Sequence, residues 1–185
     1  IAAEDQEIVD DVKRNGFNAI LTSNKHKTGT DRIYEAFQKS EIKDVDLIMN
    51  LQGDEPLIDT NDIISLNNKM IKNQCDIGTL ATIIENEKKL KNENVVKVIT
   101  EESLEEKHFP RAVSFLRKSE KIEKIYHHIG IYCYSKDALQ KFIRLNQSEN
   151  EIKNRLEQLR ALDNNIDINV SLADSSPIGV DTEED

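Results

Sequence analysis

The chain has 185 residues, and 25 Lys and Arg against 35 Asp and Glu leave a formal charge of −10. That length suits one domain, and a hydrophobic fraction of 37% is enough for one core. The acidic balance excludes a general nucleic-acid or anionic-membrane binder, both of which need a basic footprint, and no apolar run reaches the roughly 18–20 residues of a membrane helix.

In chain order, Ile1 to Ala3 reads as the end of a strand, residues 8–15 as a short helix stopped by Gly16, and 17–22 as a strand. Residues 30–39 put Ile33, Tyr34 and Phe37 on one helical face, with Thr30 as the cap. Val-Asp-Leu-Ile-Met-Asn-Leu over 45–51 is an apolar strand, and the cap cluster Asp59-Thr60-Asn61-Asp62 opens a helix to residue 72. Strands follow at 77–84 and 95–100, then a charged loop at 101–108. Residues 111–117 are ambiguous, and 118–124 form a solvated charge run. The spacing then predicts a buried strand at 129–134 and a helix over 135–145 capped by Ser135. A single amphipathic helix follows over 149–162 through Ile152, Leu156, Leu159 and Leu162, and then a strand at 166–173. Pro177 to Thr182 reads as a turn into a last helix, so 1–185 is one domain that looks cut at both ends.

Alternating helices and strands argue for α/β with a largely parallel sheet, and the continuous apolar runs suggest strands covered on both faces. Cys75 and Cys133 stand alone in apolar segments, which fits small buried residues rather than a disulfide or zinc framework.

Several stretches could carry chemistry. Asn50-Leu51-Gln52-Gly53-Asp54-Glu55-Pro56 delivers carboxylates at the end of a buried strand, where open α/β sheets bind ligands and where such groups hold Mg²⁺ against phosphate oxygens. A second carboxylate, Asp181 in Gly179-Val180-Asp181-Thr182, makes a hard-oxygen metal site if it converges with Asp54. The turn His26-Lys27-Thr28-Gly29-Thr30-Asp31-Arg32 feeds a helix N-terminus and offers N–H groups to an anion or a base edge, with Arg32 one turn in. It reads equally well as a capped surface turn. No GxGxxG or Walker motif is present. His127 and His128 precede a strand without a third metal ligand, so they are hydrogen-bonding or structural histidines. Leu156-Glu157-Gln158-Leu159-Arg160 is by itself an ordinary amphipathic stretch.

Taken in order, His26-x-x-Gly29-Thr30-x-Arg32, the Asn50–Pro56 heptad, His128-Ile129-Gly130-Ile131-Tyr132, Leu156-Glu157-Gln158-Leu159-Arg160 and Gly179-Val180-Asp181-Thr182 resemble the motif series of the 3-deoxy-manno-octulosonate cytidylyltransferases. Val95-Val96-Lys97-Val98 fits the series too. The resemblance spans nearly the whole chain. It implies a nucleotide-diphospho-sugar transferase-like three-layer α/β sandwich with a mainly parallel mixed sheet. The implied reaction, on the way to lipopolysaccharide in the cytoplasm, is CTP + Kdo → CMP-Kdo + pyrophosphate with Mg²⁺. It further implies Asp54 and Asp181 as catalytic metal ligands. Gln52, His128, Tyr132, Glu157 and Gln158 would lie around the sugar, and Thr28, Gly29 and Arg32 near the nucleotide.

The family's N-terminal triphosphate loop has no counterpart here, which leads to the expectation that these 185 residues alone are inactive. Thr28 stands where Ser is usual, and Ser114-Phe115-Leu116-Arg117 stands where a Phe-Ser-Arg turn is usual. Two rival readings are a cytidylyltransferase for an amino-Kdo or sialic-acid-like acid and a non-catalytic fragment. Oligomeric state, a homodimer included, is not legible in the sequence.

Overall fold

The computed structural model describes residues 1–42, 44–84, 86–119, 123–174 and 180. Helix α1 (Gln6–Arg14) starts where the Asp5 carboxylate accepts from Glu7 N–H, and it stops just before Gly16, whose φ of +83° suits a residue without Cβ. It joins strands β1 (Ala2–Ala3) and β2 (Ile20–Leu21), which pair in parallel as a separate ribbon. Helix α2 (Gly29–Lys39) is capped by Thr28, not by Thr30 as expected. Thr30 is buried instead, and its hydroxyl shares a 3.1 Å hydrogen bond with the Tyr134 hydroxyl.

The main sheet has six strands: β3 (Leu47–Asn50), β4 (Ile77–Ile83), β5 (Lys97–Thr100), β6 (Ala112–Leu116), β7 (Ile125–Ser135) and β8 (Ile168–Leu172). Strand β7 begins four residues earlier than expected, and the ambiguous 111–117 stretch becomes β6. The mainly parallel mixed sheet holds in strand direction. Strands β3, β4 and β5 all oppose β7, and β8 runs with β4, so four of the six point one way. Neighbour pairing differs, because β7 lies between them and β6 opposes β5. Among the described residues of this sheet only β4–β8 pair in parallel.

Three layers result. On one face Ile129, Ile131 and Cys133 of β7 pack with Leu66 and Met70 of α3 (Thr60–Asn73). Gly78 of β4 allows that approach, since a Cβ there would fall 2.6 Å from Met70 Sδ. On the other face Tyr134 and Ile77 pack with Leu139 and Phe142, and with Leu159 and Ala161. Each fully buried aliphatic side chain contributes roughly 1.5–3 kcal/mol. Cys133 is buried and free, and burial pushes its thiol up to about 12; Cys75 is half-buried and free.

A short helix absent from the expectations, α4 (Glu87–Lys91), follows β4, and Ser135 caps α5 (Lys136–Phe142) as expected. The helix expected over 149–162 is two helices. Helix α6 (Glu149–Asn154), opened by a Ser148–Glu151 capping box, ends at Arg155 with φ +53°, and α7 (Leu159–Asp163) restarts after Leu156, Glu157 and Gln158. Ile152, expected on the buried face, is 61% exposed.

Candidate active site

The cleft follows from how β7 is paired. One edge of β7 is taken by β4 along residues 126–134. The other edge meets β5 only at Ile125 to His127 and β3 only at Tyr132 to Ser135. Past a last bond from His128 N–H to Val96 O lie Ile129 to Ile131, where the chain leaving β3 through Leu51 and Gln52 and the chain approaching β5 through Val95 diverge. Strand alternation points His128, Gly130, Tyr132 and Tyr134 to the same face, and all four line a cleft of about 550 Å³. Gly130 keeps the floor low: a Cβ there would meet Gln52 Oε1 at 3.4 Å.

One wall is the turn after β3. Glu55 N–H donates to Gln52 O at 3.2 Å, which folds Gln52, Asp54 and Glu55 against the cleft. Asp54 Oδ1 is buried without a hydrogen-bond partner among the described residues, and Val180 N–H donates to Asp54 O at 2.8 Å. Asp181 itself lies outside the described residues, as do Gly179 and Thr182. Val180 nevertheless brings the chain just before Asp181 to the Asp54 backbone.

The opposite wall is the arm between α6 and α7, which presents Arg155, Leu156, Glu157 and Gln158. The break at Arg155 creates it, since a continuous helix would carry Glu157 round with its turn. Two devices hold the arm. Arg117 donates from its guanidinium to the carbonyls of Asn154 (3.1 Å), Arg155 (3.0 Å) and Glu93 (3.2 Å). Arg160 forks onto Glu151 at 2.8 and 2.5 Å, both side chains 4% exposed, with its guanidinium 4.7 Å over the Phe142 ring. Burial raises the Glu151 carboxyl, but hydrogen bonds from Arg160 and Gln147 outweigh it and leave the group lowered; the bond to Glu151 in turn raises Arg160. Behind the lining, fully buried Lys97 ties Asn92 to Arg117 by donating 2.6 Å bonds to both carbonyls.

The floor is electrically neutral. Burial lowers His128 to about 3 and His127 to about 4, in the second case helped by the charges of Lys89 and Lys97. Burial likewise raises Tyr132 and Tyr134. Glu157 is raised by burial, against the nearby Thr30 and Thr28 hydroxyls, and its Oε1 has no partner among the described residues. Among the described residues, the cations on the lining are Arg117 and Arg155. Such a site presents neutral hydrogen-bonding groups to a polyhydroxylated ligand, two guanidiniums to an anion and a partnerless carboxylate oxygen to a cation.

Of the residues singled out in the sequence, Gln52, Asp54, His128, Tyr132, Glu157 and Gln158 converge on this cleft. Thr28 lines an adjoining cavity of about 430 Å³ that shares Arg155, Leu156 and Glu157 with it, and Gly29 begins α2 beside it. Arg32 does not line the cleft: it donates to Thr22 Oγ1 at 2.8 Å and pairs with Glu4. Sequence reasoning missed Asn92, Asn94 and Arg155 on the lining, and gave Arg117 no role. The two Asn sit in what reads as a polar loop, and nothing local marks Arg155 as a left-handed stop.

A mixed sheet between helical layers, with a ligand cleft at the diverging strand ends, defines a nucleotidyltransferase-type fold. A family model described as cytidylyltransferase matches residues 1–168, and the chain belongs to that family. Curated relatives agree. The 3-deoxy-manno-octulosonate cytidylyltransferase of Bartonella henselae is 39% identical over 188 residues, covering 100% of this chain and 76% of that protein. The enzyme of the same name from Rhizobium leguminosarum bv. trifolii is 37% identical over 190 residues, covering 100% and 74%. Among solved structures, CMP:2-keto-3-deoxy-manno-octonic acid synthetase complexed with CTP superposes with TM-score 0.84 at 32% identity, over 98% of this chain and 74% of that one. The 4-diphosphocytidyl-2C-methyl-D-erythritol synthase of Anaerococcus prevotii, 13% identical with TM-score 0.61 over 100% and 74%, shares the fold.

Proposed function

We propose that this chain activates 3-deoxy-manno-octulosonate (Kdo) with CTP, forming CMP-Kdo and pyrophosphate, in the cytoplasm on the way to lipopolysaccharide. The observation that carries the reading is the convergence of Gln52, Asp54, His128, Tyr132, Glu157 and Gln158 on one cleft of a cytidylyltransferase-family chain. In the reaction, the anomeric hydroxyl of Kdo loses its proton and its oxygen bonds to the α-phosphorus of CTP. The bond from that phosphorus to the bridging oxygen breaks, and pyrophosphate leaves in line.

The chain's own residues supply position and charge. Gln52, His128, Tyr132, Glu157 and Gln158 hold the sugar through its hydroxyls, and Arg117 and Arg155 are the cations available to its carboxylate. The Thr28–Gly29 turn, beside the adjoining cavity, receives the cytosine, and Arg32 braces that turn through Thr22 and Glu4 rather than touching the nucleotide. Among the described residues no three His, Cys, Asp or Glu side chains come close enough to hold a metal ion. Asp54, with a buried partnerless oxygen and the Val180 contact, suits a two-carboxylate Mg²⁺ site completed by Asp181. When bound, Mg²⁺ would neutralise charge developing on the phosphates. Among the described residues no helix is long and apolar enough to cross a membrane.

The test is pyrophosphate release by the protein with CTP, Kdo and Mg²⁺. Product should form with Kdo and CTP and fall sharply when UTP replaces CTP. Faster turnover of an amino-Kdo or a sialic acid would move the assignment to that acid.

A further inference from the structure

His128 cannot be understood from the cleft side alone. Between Thr79 and Leu80 the β4–β7 register jumps from Tyr132 to Ile129, so β7 bulges at Gly130 and Ile131. The bulge turns the Ile129 and Ile131 carbonyls toward the Thr79 hydroxyl, which lies 3.4 Å from the first, 2.7 Å from the second and 3.0 Å from His128 Nε2. Thr79 is fully buried. A hydroxyl has one proton to donate. At 2.7 Å the Ile131 carbonyl, an acceptor only, must receive it. The Thr79 oxygen then accepts, and His128 Nε2 must carry the hydrogen.

The rest of the setting fixes the ring. His128 N–H donates to Val96 O at 2.9 Å, Phe115 stands edge-on 5.1 Å away, and Tyr132 lies at 5.4 Å. Burial keeps the imidazole neutral at physiological pH, so it holds a single ring proton.

We infer that Thr79 is a positioning residue: it locks His128 in the Nε2–H tautomer, leaving Nδ1 for the cleft as an acceptor that reads a sugar hydroxyl. The inference rests on the Kdo reading for the identity of the donor. It also divides the sugar site. An Nδ1 lone pair cannot accept from a carboxylate, so the acid group of the substrate is directed away from His128 and toward the guanidiniums of Arg117 or Arg155.

The experiment combines ring-nitrogen NMR with kinetics. In protein labelled with ¹⁵N on its histidines, long-range proton–nitrogen correlations of wild type should show His128 protonated at Nε2 with an unprotonated Nδ1. Thr79→Val, which keeps the shape and removes the hydroxyl, should shift His128 toward a mixture of tautomers. It should raise KM for Kdo about tenfold while KM for CTP moves less than twofold. Thr79→Ser should restore both signatures. Wild-type His128 protonated at Nδ1 would overturn the inference, as would an unchanged tautomer in Thr79→Val. The wild-type spectrum alone decides the first point if Thr79→Val does not fold. Failure of wild type to release pyrophosphate with Kdo would instead sink the substrate reading and leave the tautomer result standing.

Discussion

Two regions that both looked functional in the sequence turn out to be different kinds of place. Around the turn into α2, polar groups are satisfied by one another. Glu35 accepts from Ser23 N–H at 2.9 Å, contacts His26 and pairs with Lys39 at 2.6 Å; Thr28 donates to Asp31, and Arg32 is taken by Thr22 and Glu4. In the cleft, Asp54 Oδ1, His127 Nδ1 and Glu157 Oε1 are buried and have no partner among the described residues. Leaving a buried polar atom unmatched costs about 1–3 kcal/mol, so a fold keeps such atoms where a ligand completes them. Among side chains, residue type alone does not mark a ligand contact; unmet hydrogen-bonding capacity does, and the turn into α2 has mainly its backbone left to offer a base edge.

The sharpest way to break this comparison is at Asp54. Asp54→Asn should cost about a thousandfold in turnover, on the order of 4 kcal/mol, with the melting temperature unchanged or slightly raised. Pyrophosphate release over a Mg²⁺ titration measures it, and turnover near wild type would show that the orphaned oxygen holds no cation. Next comes the arm. Arg160→Met leaves the buried Glu151 carboxylate without its counter-charge, held only by Gln147 and Ser148 N–H, and should cost roughly 3 kcal/mol of folding stability by urea melts, with a rise in KM for Kdo. If stability drops but KM for Kdo stays put, the ion pair supports the fold without aiming Glu157 and Gln158.

His128→Ala and Glu157→Ala should each raise KM for Kdo by about 10–100-fold and leave KM for CTP nearly unchanged. Equal effects on both substrates would merge the sugar and nucleotide sides of the cleft. Arg32→Ala belongs to the satisfied region, so only about 1 kcal/mol or less of stability should go, with no more than a twofold change in KM for CTP. A large nucleotide effect would restore Arg32 as a direct ligand. The smallest effect concerns acid. Hydrogen bonds from Lys39, Ser23 and His26 lower Glu35 to about 2 from its ordinary 4.5. Its contribution is therefore complete above pH 4.5 and fades as pH falls toward 2. Melting temperature against pH should fall more steeply in that window for wild type than for Glu35→Gln.

The sequence by itself determined the features that repeat over a few residues. The caps at Asp59 and Ser135, the apolar runs of β4 and β7 and the polar turn after β3 were legible because helix and strand periods are local. The motif series located six of the assigned site residues in the cleft for the same reason, as short strings that stay recognisable out of context. Tertiary structure alone decided what depends on distant partners. The amphipathic spacing over 149–162 gives no sign that Arg155 breaks the helix, because the break is held by Arg117, 38 residues away. Thr30 looked like a cap until Tyr134, 104 residues on, claimed its hydroxyl, and Arg32 looked free until Glu4 and Thr22 met it. Apolar runs also carry no sign of strand direction, so only the folded sheet shows β7 opposing its neighbours and opening the gap that is the cleft. A hydrogen bond is satisfied in space rather than along the chain, and for that reason the sequence shows which groups could react while the fold decides which remain available.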